Sequence, residues 1–396
     1  MTLFSGKFRK AGWTWLLLFC SGATHIFAEV PGISEEQIKI GSCSALEGPA
    51  RQLGLESILG ATAYFDYVND HGGVNGRKLV LRSFDDGYDP GNAGTCFASL
   101  RRENVFAAGF FVGTPTAARY VPLAEAAHLP IVGWFTGAEF LYEPVKHEIF
   151  SLRGSYNDET RAQVDGLWKA GVRKISVIYQ DDDFGKAIVE GVRRALTRHK
   201  ATPSIAGSFV RNTLAVQKAV EAARAGTPDA VILAGPYAPV AEILKRAHAE
   251  GWHPLFVAVS FVGTQALINA AGRDAEGVVI TQVVPTYYKT DLPAVRLYRD
   301  CLTNYMSATQ PSFVSLEAFI DAMVMVEGLQ RAGKEPTREK FIEAIESMND
   351  VDIGLGPTAH IQFGPRDHKG LGRVYPTVVR DGEPEVFSDW TTVLKH

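Results

Sequence analysis

The stretch from Asn104 to Leu141, NVFAAGFFVGTPTAARYVPLAEAAHLPIVGWFTGAEFL, concentrates residues able to hold a small anion. Two apolar runs, Val105 to Val112 and Pro130 to Phe135, are too short for self-sufficient helices and end in small or hydroxyl-bearing residues. A helix-period segment from Thr116 to Ala127 lies between them, so the stretch reads as a βαβ unit. Thr114 is expected to cap that helix, with Pro115 at its first position, where a missing N–H costs nothing. Free backbone N–H groups at a helix start, reinforced by its dipole, attract carboxylates and phosphates. Gly113, Thr114, Trp134, Phe135 and Thr136 are therefore candidate ligand-binding residues. The plainer account is ordinary βα-turn chemistry.

Further candidates follow later strand-like runs. Tyr156, Phe184, Tyr237 and Phe261 fall just after such runs or at a crossover, where an aromatic can close on a ligand, although core packing is the simpler use. Asp181, Asp182 and Asp183 follow Ile175 to Tyr179; one could pair with a ligand cation or cap a helix starting near Lys186. The run Asp85-Asp86-Gly87-Tyr88-Asp89-Pro90 is explained by a strand end, a turn and a cap. Signatures of catalysis are missing from the sequence: no Gly-x-Ser-x-Gly, no Walker loop, no GxGxxG after a strand and no His-Glu-x-x-His. No histidine pair has helical i, i+4 spacing, and none stands at metal-ligand spacing from a cysteine. We expect a protein that is not an enzyme and has neither cofactor nor metal.

These candidates need a scaffold, and strand and helix signals alternate to supply one. The first series runs from Ile38 to Arg153 and the second from Glu159 to Gln282. Such alternation implies α/β architecture with two doubly wound, Rossmann-like lobes. Helical segments Leu292 to Ala308, Phe313 to Arg331 and Arg338 to Met348 have no strands of their own and should cover an existing sheet. Glu317, Asp321 and Glu327 interrupt the apolar run Val314 to Leu329, whose helical spacing marks a core-facing helix and not a membrane span. The expected division is 29–153 plus 283–355 for lobe 1 and 154–282 plus 356–396 for lobe 2. Three crossings then build a hinge, with ligand in the cleft outside the strand ends.

The first residues have the order of a secretory signal peptide: Lys7, Arg9 and Lys10, an apolar run Trp13 to Cys20, then small residues. Cleavage is expected after Ala28 or, alternatively, Ala23. Hydrophobic content of 46% and 21% charged residues suit a globular protein, and a net charge of −4 gives no support for a nucleic-acid partner. In the expected sheet, the right-handed crossover after the second strand carries its helix over the first strand. That places Cys43 and Cys96 together, and an oxidising compartment favours a disulfide, with Cys301 free; three buried thiols are the alternative.

The exported portion resembles the type I periplasmic solute-binding proteins of ABC importers, the leucine/isoleucine/valine-binding family. The resemblance rests on IKIGSCSALEGPARQLG at Ile38 to Gly54, GGVNGRKLVLRSFDDGYDP at Gly72 to Pro90, and GTPTAARYVPLAEAAHLPIVGWFTGAEFL at Gly113 to Leu141. KISVIYQDDDFGKA at Lys174 to Ala187 and EGVVIT at Glu276 to Thr281 continue it. It implies a monomeric periplasmic protein that closes two lobes over a small amino acid or a related carboxylate or amide and delivers it to an inner-membrane permease. A periplasmic sensor that signals to a membrane receptor would look the same. In the family, the ligand carboxylate is held at positions that fall on Gly113, Thr114, Trp134 and Thr136, and closing aromatics fall on Phe184 and near Tyr237. The acid that binds the ligand's α-ammonium falls on Ser260. Either another acid such as Glu139 or Asp182 takes over, or the ligand is not an ordinary amino acid. Trp134, where the family often has a small residue, would reshape the pocket. The family's first-lobe disulfide positions fall on Tyr88 and Val112, so a Cys43–Cys96 bridge would replace it.

Overall fold

The computed structural model describes residue 2 and residues 30–394, apart from 205, 289 and 308. The signal-peptide segment, both expected cleavage sites and Cys20 lie outside the described residues. Lobe 1 is built from β1 (Gln37–Ser44), α1 (Arg51–Asp70), β2 (Lys78–Asp85), α2 (Ala93–Glu103), β3 (Ala107–Val112), α3 (Thr114–Ala127), β4 (Ile131–Phe135) and β5 (Ile149–Phe150). Its five strands are parallel in the order β2-β1-β3-β4-β5. Helices cover both faces of this sheet, which is why β3 and β4 are buried along their whole length and carry no polar alternation. The β2-to-β3 crossover brings α2 against β1, and the Cys43 and Cys96 sulfurs are joined there, with Cα atoms 6.0 Å apart. Cys301 is free and buried.

Lobe 2 continues with α4 (Tyr156–Lys169), β6 (Ile175–Gln180), α5 (Asp183–Arg198), β7 (Ala206–Phe209), α6 (Gln217–Ala225), β8 (Ala230–Ala234), α7 (Tyr237–Ala249), β9 (Leu255–Ala258), α8 (Thr264–Ala271) and β10 (Val279–Gln282). The chain then forms α9 (Pro293–Tyr305), α10 (Phe313–Arg331) and α11 (Arg338–Glu346), and ends in β11 (Tyr375–Arg380) and β12 (Glu383–Val386). The second sheet has the order β12-β11-β10-β9-β8-β6-β7, with the last hairpin antiparallel on its edge. Helices α9, α10 and α11 return to lobe 1. Tyr298, Leu316, Phe319, Ile320 and Phe341 share one core with Ile40, Phe65 and Phe110. Burying each such side chain stabilises by roughly 1.5–3 kcal/mol, so these helices are fixed parts of lobe 1.

Two details depart from the sequence reading. The third crossing is not at residue 356: Ala359, Ile361, Phe363 and Leu371 pack in the lobe 1 core beside Phe150, so the chain crosses after Leu371. Within this segment Ile361 forms a single antiparallel bridge to Val351. The cap of α3 is Gly113 and not Thr114, which is already the first helical residue. Gly113 has φ of +102°, and a Cβ there would lie 2.2 Å from the Tyr88 ring, so only glycine fits.

Candidate functional site

Because Gly113 takes the cap position, the Thr114 side chain is released from capping. Its hydroxyl lies 2.7 Å from that of Thr136 at the end of β4, and the Tyr156 hydroxyl, from the start of α4, donates to Thr136 at 3.1 Å. All three side chains are buried. Burial pushes the Tyr156 hydroxyl up to about 12, so it stays a donor at any physiological pH. The cluster joins two hydroxyls of lobe 1 to one of lobe 2, and its protons can turn toward an oxygen anion. A neighbouring cavity of about 380 Å³ between the lobes is lined by Thr114, Ala138, Glu139, Tyr156, Asp183 and Lys186, among others.

Phe135, Tyr156, Phe184 and Phe261 also meet. Phe135 stacks on Phe261 with centroids 5.5 Å apart, Phe184 lies 4.6 Å from Phe261, and Tyr156 meets Phe184 edge-on at 5.3 Å. Tyr88 adds a fifth ring, 5.8 Å from Phe261, and its hydroxyl accepts from Gln180 Nε2 across the cleft. These rings belong to one apolar core that runs from Ala45 and Val112 of lobe 1 to Val177 and Val257 of lobe 2, which is a closed arrangement of the lobes. Tyr237, half-buried at the start of α7, packs at the edge of this core.

Trp134 is placed elsewhere. It packs edge-on against Phe111 inside lobe 1, in the same core as Tyr120 and Ile131. Successive strand residues alternate faces, so Trp134 should oppose Ile131. The positive φ of Gly133, +82°, breaks that alternation and turns the indole inward. Gly133 is required by a close approach: a Cβ there would lie 2.6 Å from the Asp321 carboxyl.

Asp321 belongs to a buried charge cluster that the sequence reading did not identify. Arg153, at the first crossover, is fully buried between lobes. Its Nη2 donates to the Ser260 hydroxyl and lies 3.5 Å from Glu159 Oε1, while Nη1 lies 3.1 Å from Glu317 Oε1. Its guanidinium carbon stands 5.0 Å from the Phe135 ring centroid. Burial pushes Glu317 up to about 7, against the pull of Arg153, and Asp321 well above the usual carboxylate range, with Glu317 adding repulsion. Burial also raises Glu159, opposed by Arg153, Thr281 and Ser260. Burial would lower Arg153, but Glu317 and Glu159 outweigh it and the guanidinium is raised. The available signal was Glu317 and Asp321 at i, i+4 within the apolar run of a core-facing helix, which demands a buried partner.

The remaining candidates have structural duties. Ser260 donates its N–H and its hydroxyl to Glu159, at 2.7 and 2.9 Å. Asp182 caps α5 through the Phe184 and Gly185 amides and accepts from Gln180 Nε2. Asp85, Asp86 and Asp89 each accept backbone N–H groups in their turn. Among the described residues, no group of His, Cys, Asp and Glu could hold a metal ion, and no helix is long and apolar enough to cross a membrane.

Comparison with known proteins agrees with this architecture. Residues 37–384 match the model of the periplasmic binding protein family. The Leu/Ile/Val-binding protein of Escherichia coli K12 is 23% identical over 339 residues, covering 85% of this chain and 89% of that protein. A crystal structure from Rhodopirellula baltica SH 1, described as a possible leucine/isoleucine/valine-binding protein, superposes with a TM-score of 0.86 at 33% identity. It covers 93% of this chain and all of that one. A fatty acid ABC transporter substrate-binding protein from Thermomonospora curvata shares the fold, with a TM-score of 0.81 at 22% identity over 93% of this chain and 96% of its own. Two α/β lobes closed on a cleft of hydroxyls and aromatic rings, with a family match over nearly all of the described chain, place this protein among the periplasmic binding proteins, a family of solute binders and not of enzymes.

Proposed function

We propose that the chain is the extracytoplasmic solute-binding component of an ABC importer, which closes over a small carboxylate-bearing solute and presents the closed form to an inner-membrane permease. The observation that carries this reading is the hydroxyl cluster of Thr114, Thr136 and Tyr156, because it draws on both lobes. A carboxylate held there gains contacts only when the lobes are together, and only such differential affinity shifts an open–closed balance. The Leu/Ile/Val-binding relative and the ABC transporter substrate-binding neighbour support the transport role.

The test is thermal unfolding of the exported chain against branched-chain and aromatic amino acids, amides, and carboxylates lacking an amine. A solute at a hundred times its dissociation constant adds about 2.7 kcal/mol, or roughly 5 to 10 °C. A rise of that size with one of these solutes is expected. No shift across the whole panel overturns the reading.

A further inference from the structure

The lobes also meet at a turn of lobe 1 between β2 and α2, Asp86 to Asp89. Its own lobe fixes it: the buried Asp86 carboxyl accepts from the Tyr88 N–H and from the Tyr120 hydroxyl, both at 2.8 Å. Tyr88 has φ of +55°, a left-handed conformation that a bulky residue keeps only where its surroundings hold it. Lobe 2 grips the same turn with polar groups. Gln180 Nε2 donates to the Tyr88 hydroxyl at 3.0 Å, and Asn212 Nδ2 donates to the Gly87 carbonyl at 3.1 Å. Arg211 stands between a carboxylate of each lobe, 3.4 Å from Asp89 and 3.5 Å from Asp182. Asp182 also accepts from Gln180 Nε2 and caps α5, so the lobe 2 side is held in place by its own bonds. None of these residues lines the cavity beside Thr114.

We propose that the Asp86–Asp89 turn and the Arg211–Asn212 loop form a latch that holds part of the solute-free population closed. This takes lobe closure from the solute-binding reading above and adds a contribution to it that no solute contact supplies. Bonds between the lobes that the solute never touches stabilise the closed form equally for every solute. They raise the fraction of molecules competent to hold one, so they strengthen all apparent affinities by a common factor and leave selectivity to the cavity. The latch has a salt-sensitive part and a salt-insensitive part. The Arg211 and Asp89 side chains are 24% and 50% exposed, so ions screen their attraction, whereas Tyr88 and Gln180 are fully buried and their hydrogen bond is not screened.

Small-angle X-ray scattering of the exported chain without solute tests this. The double variant Arg211→Ala/Asn212→Ala removes both ion pairs and the bond to Gly87 and leaves the cavity lining intact. Its radius of gyration should exceed that of the parent at the same ionic strength. Raising salt from about 0.05 to about 0.5 M should enlarge the parent more than the variant. Titration calorimetry adds a second readout, with leucine, phenylalanine, 4-methylpentanoate and 3-phenylpropanoate as probes. Each probe that binds the parent should bind the variant more weakly by one shared factor, about threefold or more. Should the double variant fail to fold, Tyr88→Phe, which deletes only the hydroxyl, should change both readouts in the same direction. Equal radii without solute overturn the latch, and a loss that differs from probe to probe overturns it by placing Arg211 or Asn212 against the solute. Where every probe is silent, scattering alone decides. Equal radii together with a solute-induced thermal shift remove the latch and keep the binding reading; a larger variant with no shift from any solute supports the latch and removes that reading.

Discussion

Thr114 and Thr136 carry the most direct test of the site, because their hydroxyls touch each other and neither is needed to cap a helix. A hydrogen bond to a charged group contributes about 1.5–3 kcal/mol, so Thr114→Ala or Thr136→Ala should weaken carboxylate binding roughly 10- to 150-fold. Thr136→Ser should keep most of the affinity. Calorimetric affinity unchanged in both alanine variants would remove the hydroxyls from the site. These two residues were legible in the sequence because strand ends and helix starts are marked locally, by Gly113, Pro115 and the end of an apolar run. Trp134 was misplaced because its direction depends on the conformation of Gly133, which answers to Asp321 nearly two hundred residues away. Arg153 and Glu159 were missed for a related reason. Neither has a local pattern, and their meaning appears only where α10 brings Glu317 back to the first crossover.

Among the elements, β1 and α2 offer a test of strand order. The Cys43–Cys96 bridge exists because α2 crosses β1 on its way from β2 to β3, and it closes a loop with a sequence separation of 53. The double variant Cys43→Ala/Cys96→Ala should lose about 2–4 kcal/mol of stability in chemical denaturation, without losing the solute-induced rise in midpoint. Loss below about 1 kcal/mol would mean that the bridge does not constrain the unfolded chain as loop-closure entropy requires. The alternation of strands and helices was readable because each element buries one kind of periodic surface. Helix α1 is marked weakly: it starts at Arg51, with Ala50 making no side-chain cap, and Gly54 and Gly60 dilute its signal. Residues 356–371 were assigned to the wrong lobe because bridges and turns carry no period. Only Ile361, Phe363 and Leu371 packing on lobe 1 fixes where they belong.

At the scale of the whole molecule, the charge cluster ties the lobes together and couples their stability to pH. Arg153, at the first crossover between the lobes, reaches Glu317 on α10 of lobe 1 and Glu159 and Ser260 of lobe 2. Glu317 titrates near 4.5 when unfolded and at about 7 when folded, raised mainly by burial. Between those values the folded chain binds more protons than the unfolded one. Stability from this group is therefore complete below about pH 4.5 and is lost as pH rises through 7. The loss amounts to about 3 kcal/mol at most. Asp86, raised by burial to about 6, acts in the same direction over a lower window. Its contribution cancels when Glu317→Gln is compared with the parent chain. Urea unfolding of both proteins from pH 4.5 to 7.5 should show the parent losing stability relative to Glu317→Gln, with most of the change between pH 5 and 7. A difference that stays flat, or that favours the parent as pH rises, would mean that Glu317 is ionised throughout and is held by Arg153 more tightly than burial opposes it.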